Sequence, residues 1–263
     1  MGLGKTITLL PIAAVMSICC AGAASAASFE EVTPYLSALH HYWDEYYGGR
    51  TRLKESGAIF ALGVVGTVAT DTPVLFRGRG EIFGGKVDYD GETQGLTPVP
   101  AKTDVVYFGV REELDLAYRI RLARVTVEPF GGIGYRFWLR DLQDTMTQVG
   151  PASGYTEAWQ SWYWLAGLRS RYPLAERTTL ELEGGAKYPF YVSNTVNSAT
   201  VRPQGEWSAF AEGGVTVGKL KVSLSYQGFR FTQSPLKLSG ANYIYQPDSS
   251  SDIWGVNVGW KFQ

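Results

Sequence analysis

Thiol and imidazole groups are scarce in this chain, and that scarcity removes several kinds of chemistry. Its two cysteines, Cys19 and Cys20, fall in a leader-like segment, and its two histidines, His40 and His41, are neighbours. A mature chain that lacks the leader therefore has no disulfide and no thiolate metal site. An excess of one charge is also missing: 24 basic and 25 acidic residues give a net charge of −1, which leaves no electrostatic footprint for nucleic acid. After the leader no uncharged apolar run is long enough for a spanning helix, so a membrane crossing would have to be made by a closed barrel.

The leader has the parts of a secretory signal: Lys5, an apolar run from Ile7 to Ile18, and the small residues Ala24-Ser25-Ala26. A start near Ala27 is expected, dividing the chain into a cleaved segment 1–26 and one domain, 27–263. The run is short for an anchor and is broken by Pro11. The residues before Cys19 and Cys20 fit a lipid-attachment box poorly.

The surplus lies in glycine, 31 residues, and in aromatics, 14% of the chain. Apolar and polar residues alternate with period two throughout, as in half-buried strands. Between Thr178 and Phe190, the residues Leu180, Leu182, Ala186, Tyr188 and Phe190 share one face, with Thr179, Glu181, Glu183 and Lys187 on the other. The pattern predicts ten strands, near 35–47, 57–69, 74–89, 103–119, 124–140, 159–172, 178–191, 206–217, 219–232 and 252–262, with eight or twelve as alternatives. In the first, Leu39 and Trp43 alternate with Ala38 and Tyr42, and the pattern does not choose between the faces. Joins after strands two, four, six and eight read as tight, whereas those after one, three, five, seven and nine read as long and polar. That asymmetry is expected of an antiparallel up-and-down transmembrane β-barrel with both termini inside.

A soluble barrel would show the same period, so the height of the aromatics decides. Tyr135, Phe137, Trp162, Trp164, Tyr188, Phe190, Trp207 and Trp254 stand at strand ends that meet long joins, and Phe76, Tyr118, Tyr172, Trp260 and Phe262 at ends that meet short ones. Aliphatic residues and glycine fill the band between them, as two membrane interfaces would require. Glu112 falls on the apolar face by strict alternation, which predicts a bulge or a shifted register there.

By its leader, its meander and its last strand from Ile253 to Gln263 with Trp254, Trp260 and Phe262, the chain resembles the small outer-membrane β-barrel proteins of Gram-negative bacteria. Members usually end in an aromatic residue; here Gln263 follows Phe262. The resemblance implies residence in the outer membrane, contact with its lipid and lipopolysaccharide, and passage through the barrel-assembly machinery. A monomer without cofactor is expected.

Ten-stranded omptin proteases are the pertinent enzymes, and they use acidic pairs with a histidine at the outer rim. Asp88 and Asp90 resemble half of that set, but His40 and His41 lie in mid-strand, where only one can face the lumen, and no histidine follows them. Barrel lipases that pair serine with histidine meet the same objection. A turn role for Asp88-Tyr89-Asp90-Gly91 and no catalysis are therefore expected. Asp141, Asp144, Asp248 and Asp252 lack the spacing of a calcium loop, and no metal is expected. The pairs Gly131-Gly132, Gly184-Gly185 and Gly213-Gly214 lie inside strands, where they permit bends or close contacts rather than cradle phosphate.

Two classes remain: a structural or surface-interaction barrel, and a narrow channel for small solutes. Arg50, Arg52 and Lys54, in a loop expected from Tyr46 to Ser56, are candidates for lipopolysaccharide phosphates. The polar faces carry Arg77, Arg79, Arg111, Arg119, Arg136, Arg169, Arg171 and Lys187 against Glu81, Glu113, Asp115, Glu128, Glu181, Glu183 and Glu212, eight positive and seven negative. In a barrel of about ten strands such groups can meet across the lumen, so a plug made of the protein's own side chains is expected.

Overall fold

Ten long strands close on themselves in a computed structural model that describes residues 28–93, 97–239 and 242–262. They are β1 (Ser28–Tyr47), β2 (Arg50–Ala69), β3 (Val74–Glu92), β4 (Pro100–Tyr118), β5 (Val125–Leu142), β6 (Tyr155–Ala175), β7 (Thr178–Val196), β8 (Ser208–Val217), β9 (Leu220–Thr232) and β10 (Asp248–Trp260). Each pairs antiparallel with the next, and β10 returns to β1 from Tyr35↔Gly259 to Tyr46↔Asp248. The expected leader lies outside the described residues.

The turn end of the barrel is as the sequence suggests, with joins at 70–73, 119–124, 176–177 and 218–219. Gly218 has φ +61°, the left-handed conformation that a two-residue turn needs and that glycine adopts freely. The opposite end corrects the expectation. β1 and β2 meet in a two-residue turn at Gly48 and Gly49, both at positive φ, so the loop expected from Tyr46 to Ser56 is a hairpin. Arg50, Arg52 and Lys54 are therefore strand residues, all exposed. Glycine at both central positions is the signature of this tight turn, and the charged residues around it obscured that signal. β1 also starts earlier, at Ser28, and β7 runs on to Val196. The joins after β5 and β9 carry small hairpins, Thr145–Thr147 with Gly150–Ala152 and Lys237–Ser239 with Asn242–Ile244.

A bulge between Pro189 and Tyr191 interrupts β7 where proline has no N–H to give the ladder. It leaves Phe190 and Tyr191 both exposed and turns Asn194 to the interior.

Curvature crowds the inward face of a small barrel, and the mid-strand glycine pairs relieve it on that side. A side chain at inward Gly185 would run into the Ala166 carbonyl, with Phe210 also close, whereas one at outward Gly184 would meet only the Phe210 carbonyl at 3.7 Å. Gly185→Ala is therefore expected to cost about 1–3 kcal/mol, and Gly184→Ala little. Denaturant unfolding of the two refolded variants checks this; equal losses would contradict the account.

Candidate functional site

The barrel is inverted relative to a soluble one. Its exterior carries Leu36, Leu62, Leu114, Leu168, Leu182, Leu224 and Val256, all well exposed, with Leu224 at 66%, while charged side chains fill the interior and Arg140 is at 0%. Above this apolar band the outward aromatics form touching pairs: Tyr135 with Trp162 at 4.7 Å, Trp164 with Phe190 at 4.9 Å, Tyr188 with Trp207 at 5.2 Å and Tyr226 with Trp254 at 4.7 Å. Phe137 is half-buried beside them. Phe76, Tyr118, Tyr172, Trp260 and Phe262 are exposed near the turn end. Apolar surface of this extent would be unstable in water and matches the lipid band and its aromatic girdles.

The chain is a membrane-spanning β-barrel.

Beyond the upper girdle the outward face becomes ionic, with Lys86 on Asp104 and Lys102 on Asp90, each at 2.8 Å. Hydrogen bonds from these lysines, reinforced by the carboxylate charges, raise both above the ordinary lysine range. Asp88 and Asp90 thus point away from the lumen, and Asp90 serves a cross-strand ion pair.

Inside, charged side chains meet in layers, and Arg77, Arg111, Asp115, Glu128, Arg136, Arg169 and Lys187 are all buried. Toward the turn end, Lys261 joins Glu31 at 3.0 Å and Glu181 at 2.8 Å, Lys221 joins Glu181 at 3.1 Å and Glu212 at 3.0 Å, and Arg119 joins Glu128 at 2.6 Å and Glu30 at 2.9 Å. Arg171 reaches Glu31 at 3.8 Å. The next layer is built on Arg169, which contacts Glu183 at 2.9 Å, Asp115 at 3.3 Å and Glu128 at 3.5 Å. Arg77 also reaches Glu183 at 2.7 Å, and Arg79 reaches Glu212 at 3.2 Å and Glu113 at 3.8 Å. Arg111 reaches Glu81 at 3.1 Å. Arg111–Glu81, Arg79–Glu113, Arg169–Glu183 and Arg169–Glu128 join neighbouring strands, whereas Arg77–Glu183 and Arg79–Glu212 reach from β3 to β7 and β8 and so cross the lumen.

Higher up, aromatic rings replace carboxylates. The Arg136 guanidinium sits 5.0, 4.7 and 4.9 Å from the ring centres of Phe83, Trp138 and Phe229. Lys187 lies 4.1 Å from the Phe229 ring centre and donates to Gln227 at 3.0 Å. At the top, Trp138 stacks on Trp159 at 5.3 Å and 10°, and Trp43 meets Trp159 edge-on at 5.1 Å. Arg140 is buried among Glu45, Glu55 and Glu157, at 3.5 Å from Glu45 and 2.9 Å from Glu157, and bonded to Glu55. Tyr107 bonds Glu55, while Trp43 and Trp159 donate to Glu45 and Glu157 at 3.0 and 2.7 Å. Gln246, from the join before β10, closes over this set by donating to Glu45 at 3.1 Å and accepting from Asn194 at 3.0 Å.

Below the tryptophans, and bounded by the ionic layers themselves, lies a cavity of about 70 Å³, lined among others by Tyr35, Arg79, Glu81, Arg111, Arg136 and Glu212. His41 is buried beneath the tryptophans against Tyr107, ring centres 4.7 Å apart, while His40 faces outward and contacts Ser56 at 3.1 Å. Neither meets Asp88 or Asp90. The remaining aspartates also stay apart: Asp141 accepts from Thr156 and Gln143, Asp144 from the Gly154 amide, Asp248 from the Gln233 amide, and Asp252 pairs with Arg230 at 2.7 Å.

Glu112 corrects a further expectation. Pairing is unbroken from β3 through β4 to β5, Gly80↔Glu112 and Glu112↔Tyr135, so neither bulge nor shift turns it inward. It stands on the lipid-facing side between Val110 and Leu114.

No family model and no curated protein matches this sequence. Among solved structures it is similar to the outer membrane protease OmpT from Escherichia coli, at 12% identity, TM-score 0.48, covering 89% of this chain and 98% of that one. The translocator domain of autotransporter NalP from Neisseria meningitidis gives 14% identity and TM-score 0.45, covering 95% and 93%. An outer membrane channel from Pseudomonas putida F1 gives 10% and 0.44, covering 92% and 97%. What this barrel does is therefore read from its own residues.

Reading the sequence for polar faces missed the upper lumen. Trp43, Trp138 and Trp159 point inward in company with other uncharged inward residues, His41 on β1, Phe130 on β5 and Tyr163 on β6, so a search for charged faces passes over them. The available signal was the carboxylate two positions from a tryptophan in Trp43-Asp44-Glu45 and Glu157-Ala158-Trp159, a spacing that puts an indole N–H beside its own acceptor on one strand face.

Proposed function

We propose that this is a non-catalytic outer-membrane barrel with a closed lumen, acting through the surface and hairpins at its outer end. The observation that carries the reading is the layer of Trp43, Trp138, Trp159 and Arg140, whose side chains are almost wholly buried and lie across the lumen. Below it, most positive and negative groups pair along neighbouring strands and, at Arg77–Glu183 and Arg79–Glu212, across the lumen, which supports a plug rather than a hydrated passage. The histidine position supports the non-catalytic reading, since His41 is buried below the rim and cannot meet a substrate there. Exposed Arg50, Arg52 and Lys54 on β2 fit lipopolysaccharide phosphates, Arg52 being partly neutralised by Glu92. Assembly by the barrel machinery and a monomeric state complete the proposal.

Planar-bilayer recordings of the reconstituted protein are expected to show no steady conductance. Large, stable single-channel currents would overturn the closed lumen. They would favour the second reading, a narrow channel for small solutes, whose support is the charged cavity beneath the aromatic layer.

A further inference from the structure

Two arginines face each other across neighbouring strands inside the barrel with too little negative charge between them. Arg111 on β4 and Arg136 on β5 are direct cross-strand partners, 5% and 2% exposed, and both line the lumen cavity. Like charges so placed repel. Arg111 has Glu81 at 3.1 Å, and Glu81 is shared with the Tyr35 hydroxyl at 2.8 Å. Arg136 makes no ion pair among the described residues. The cavity's other carboxylates are already engaged: Glu181 by Lys221 and Lys261, Glu183 by Arg77 and Arg169, Glu212 by Arg79 and Lys221, and Glu31 by Lys261.

Each of the two guanidiniums also keeps a buried nitrogen without a hydrogen-bond partner, Nε of Arg111 and Nη1 of Arg136. Such atoms are costly unless something accepts from them. The rings of Phe83, Trp138 and Phe229 surround Arg136, and a guanidinium held by aromatic faces still presents its donors in its own plane.

We propose that Arg111 and Arg136 form a binding site for one small monovalent anion, a halide or a formate-sized carboxylate, at the edge of the lumen cavity. Glu81 and Glu113 both stand by Arg111, but Glu113 is also held by Arg79 at 3.8 Å and by the Tyr163 hydroxyl at 2.8 Å, so Arg136 is the guanidinium left without a carboxylate, and its single charge sets the valence. The cavity, about 70 Å³ where a single water needs roughly 10–15 Å³ by the same measure, sets the size. The site goes beyond the closed-lumen reading and stands whether or not the barrel conducts.

Thermal unfolding of the purified barrel in detergent tests it, with sodium chloride replacing sodium gluconate at constant ionic strength. The unfolding midpoint of the native protein is expected to rise saturably with chloride, and Arg136→Gln to weaken the half-saturating concentration about tenfold or more. No difference between chloride and gluconate in the native barrel, or the same chloride response in both proteins, overturns the site. Should Arg136→Gln fail to fold, crystals of the native barrel grown in bromide decide: an anomalous peak within hydrogen-bond reach of both arginines supports the site, and its absence overturns it.

Discussion

Arg140→Met is expected to destabilise the barrel by about 3–5 kcal/mol, because removing one member of a buried ion cluster leaves the others charged and unpaired. Three carboxylates depend on this one guanidinium, and it is completely buried. Glu55 and Glu157 would keep only neutral donors, Tyr107 for the first, Trp159 and Asn194 for the second. Replacing Glu45, Glu55 and Glu157 with glutamine in the Arg140→Met background is expected to recover most of the loss, since a neutral set has no unpaired charge to bury. Denaturant unfolding followed by tryptophan fluorescence reads both, as the indoles of Trp43, Trp138 and Trp159 surround the cluster. A loss under about 1 kcal/mol for the single variant, within the range of surface substitutions, would mean that water already reaches these carboxylates.

Trp43→Ala combined with Trp159→Ala is expected to turn a silent barrel into a conducting one. The two indoles meet edge-on at 5.1 Å, and Trp159 is also the stacking partner of Trp138. Truncation of a buried tryptophan costs about 3–5 kcal/mol and leaves a cavity where the rest relaxes only partly. Here that cavity would open the way between the outer end and the charged chamber below. Current steps absent from the native protein should appear, and a change in gel mobility on boiling would establish that the variant is still a folded barrel. If the folded variant stays silent, the seal lies in the ionic layers around Arg169 and not in the tryptophans.

The barrel was legible in the sequence where two conditions coincided, one face in lipid and the other charged. That holds along β3, β4, β5 and β7, where period two alone picks out Arg77, Arg79, Glu81, Arg111, Glu113, Asp115, Glu128, Arg136, Glu181, Glu183 and Lys187. β1 failed the condition: Leu39, His41 and Trp43 face inward while Ala38, His40 and Tyr42 face outward, so both faces mix apolar and polar groups. The outer hairpins were misread as loops for a related reason, since above the membrane both faces of a strand can be polar and alternation vanishes. Glu112 shows the opposite failure: alternation placed it correctly, and the general cost of a carboxylate in lipid argued wrongly against the pattern. Sequence could not show which cations lack an anion, because pairs such as Arg77 with Glu183 and Arg79 with Glu212 join strands far apart in the chain.

The seam between β1 and β10 makes assembly of this sheet a ring-closing problem. Neighbouring strands are joined by turns and can pair as soon as they are made, but the Ser37 hydroxyl donates to the side-chain oxygen of Asn257, 220 positions away. Confining a loop of that length costs about 5 kcal/mol in chain entropy before any contact forms, and non-local pairings of this kind slow folding. Until it closes, β1 and β10 are both free edges able to accept a foreign strand. The latch is local and ionic as well as hydrogen-bonded: Lys261 reaches Glu31, and Val32 exchanges backbone bonds with Phe262 at 2.9 and 2.8 Å. An open ribbon becomes a cylinder only when the few residues at its two margins meet.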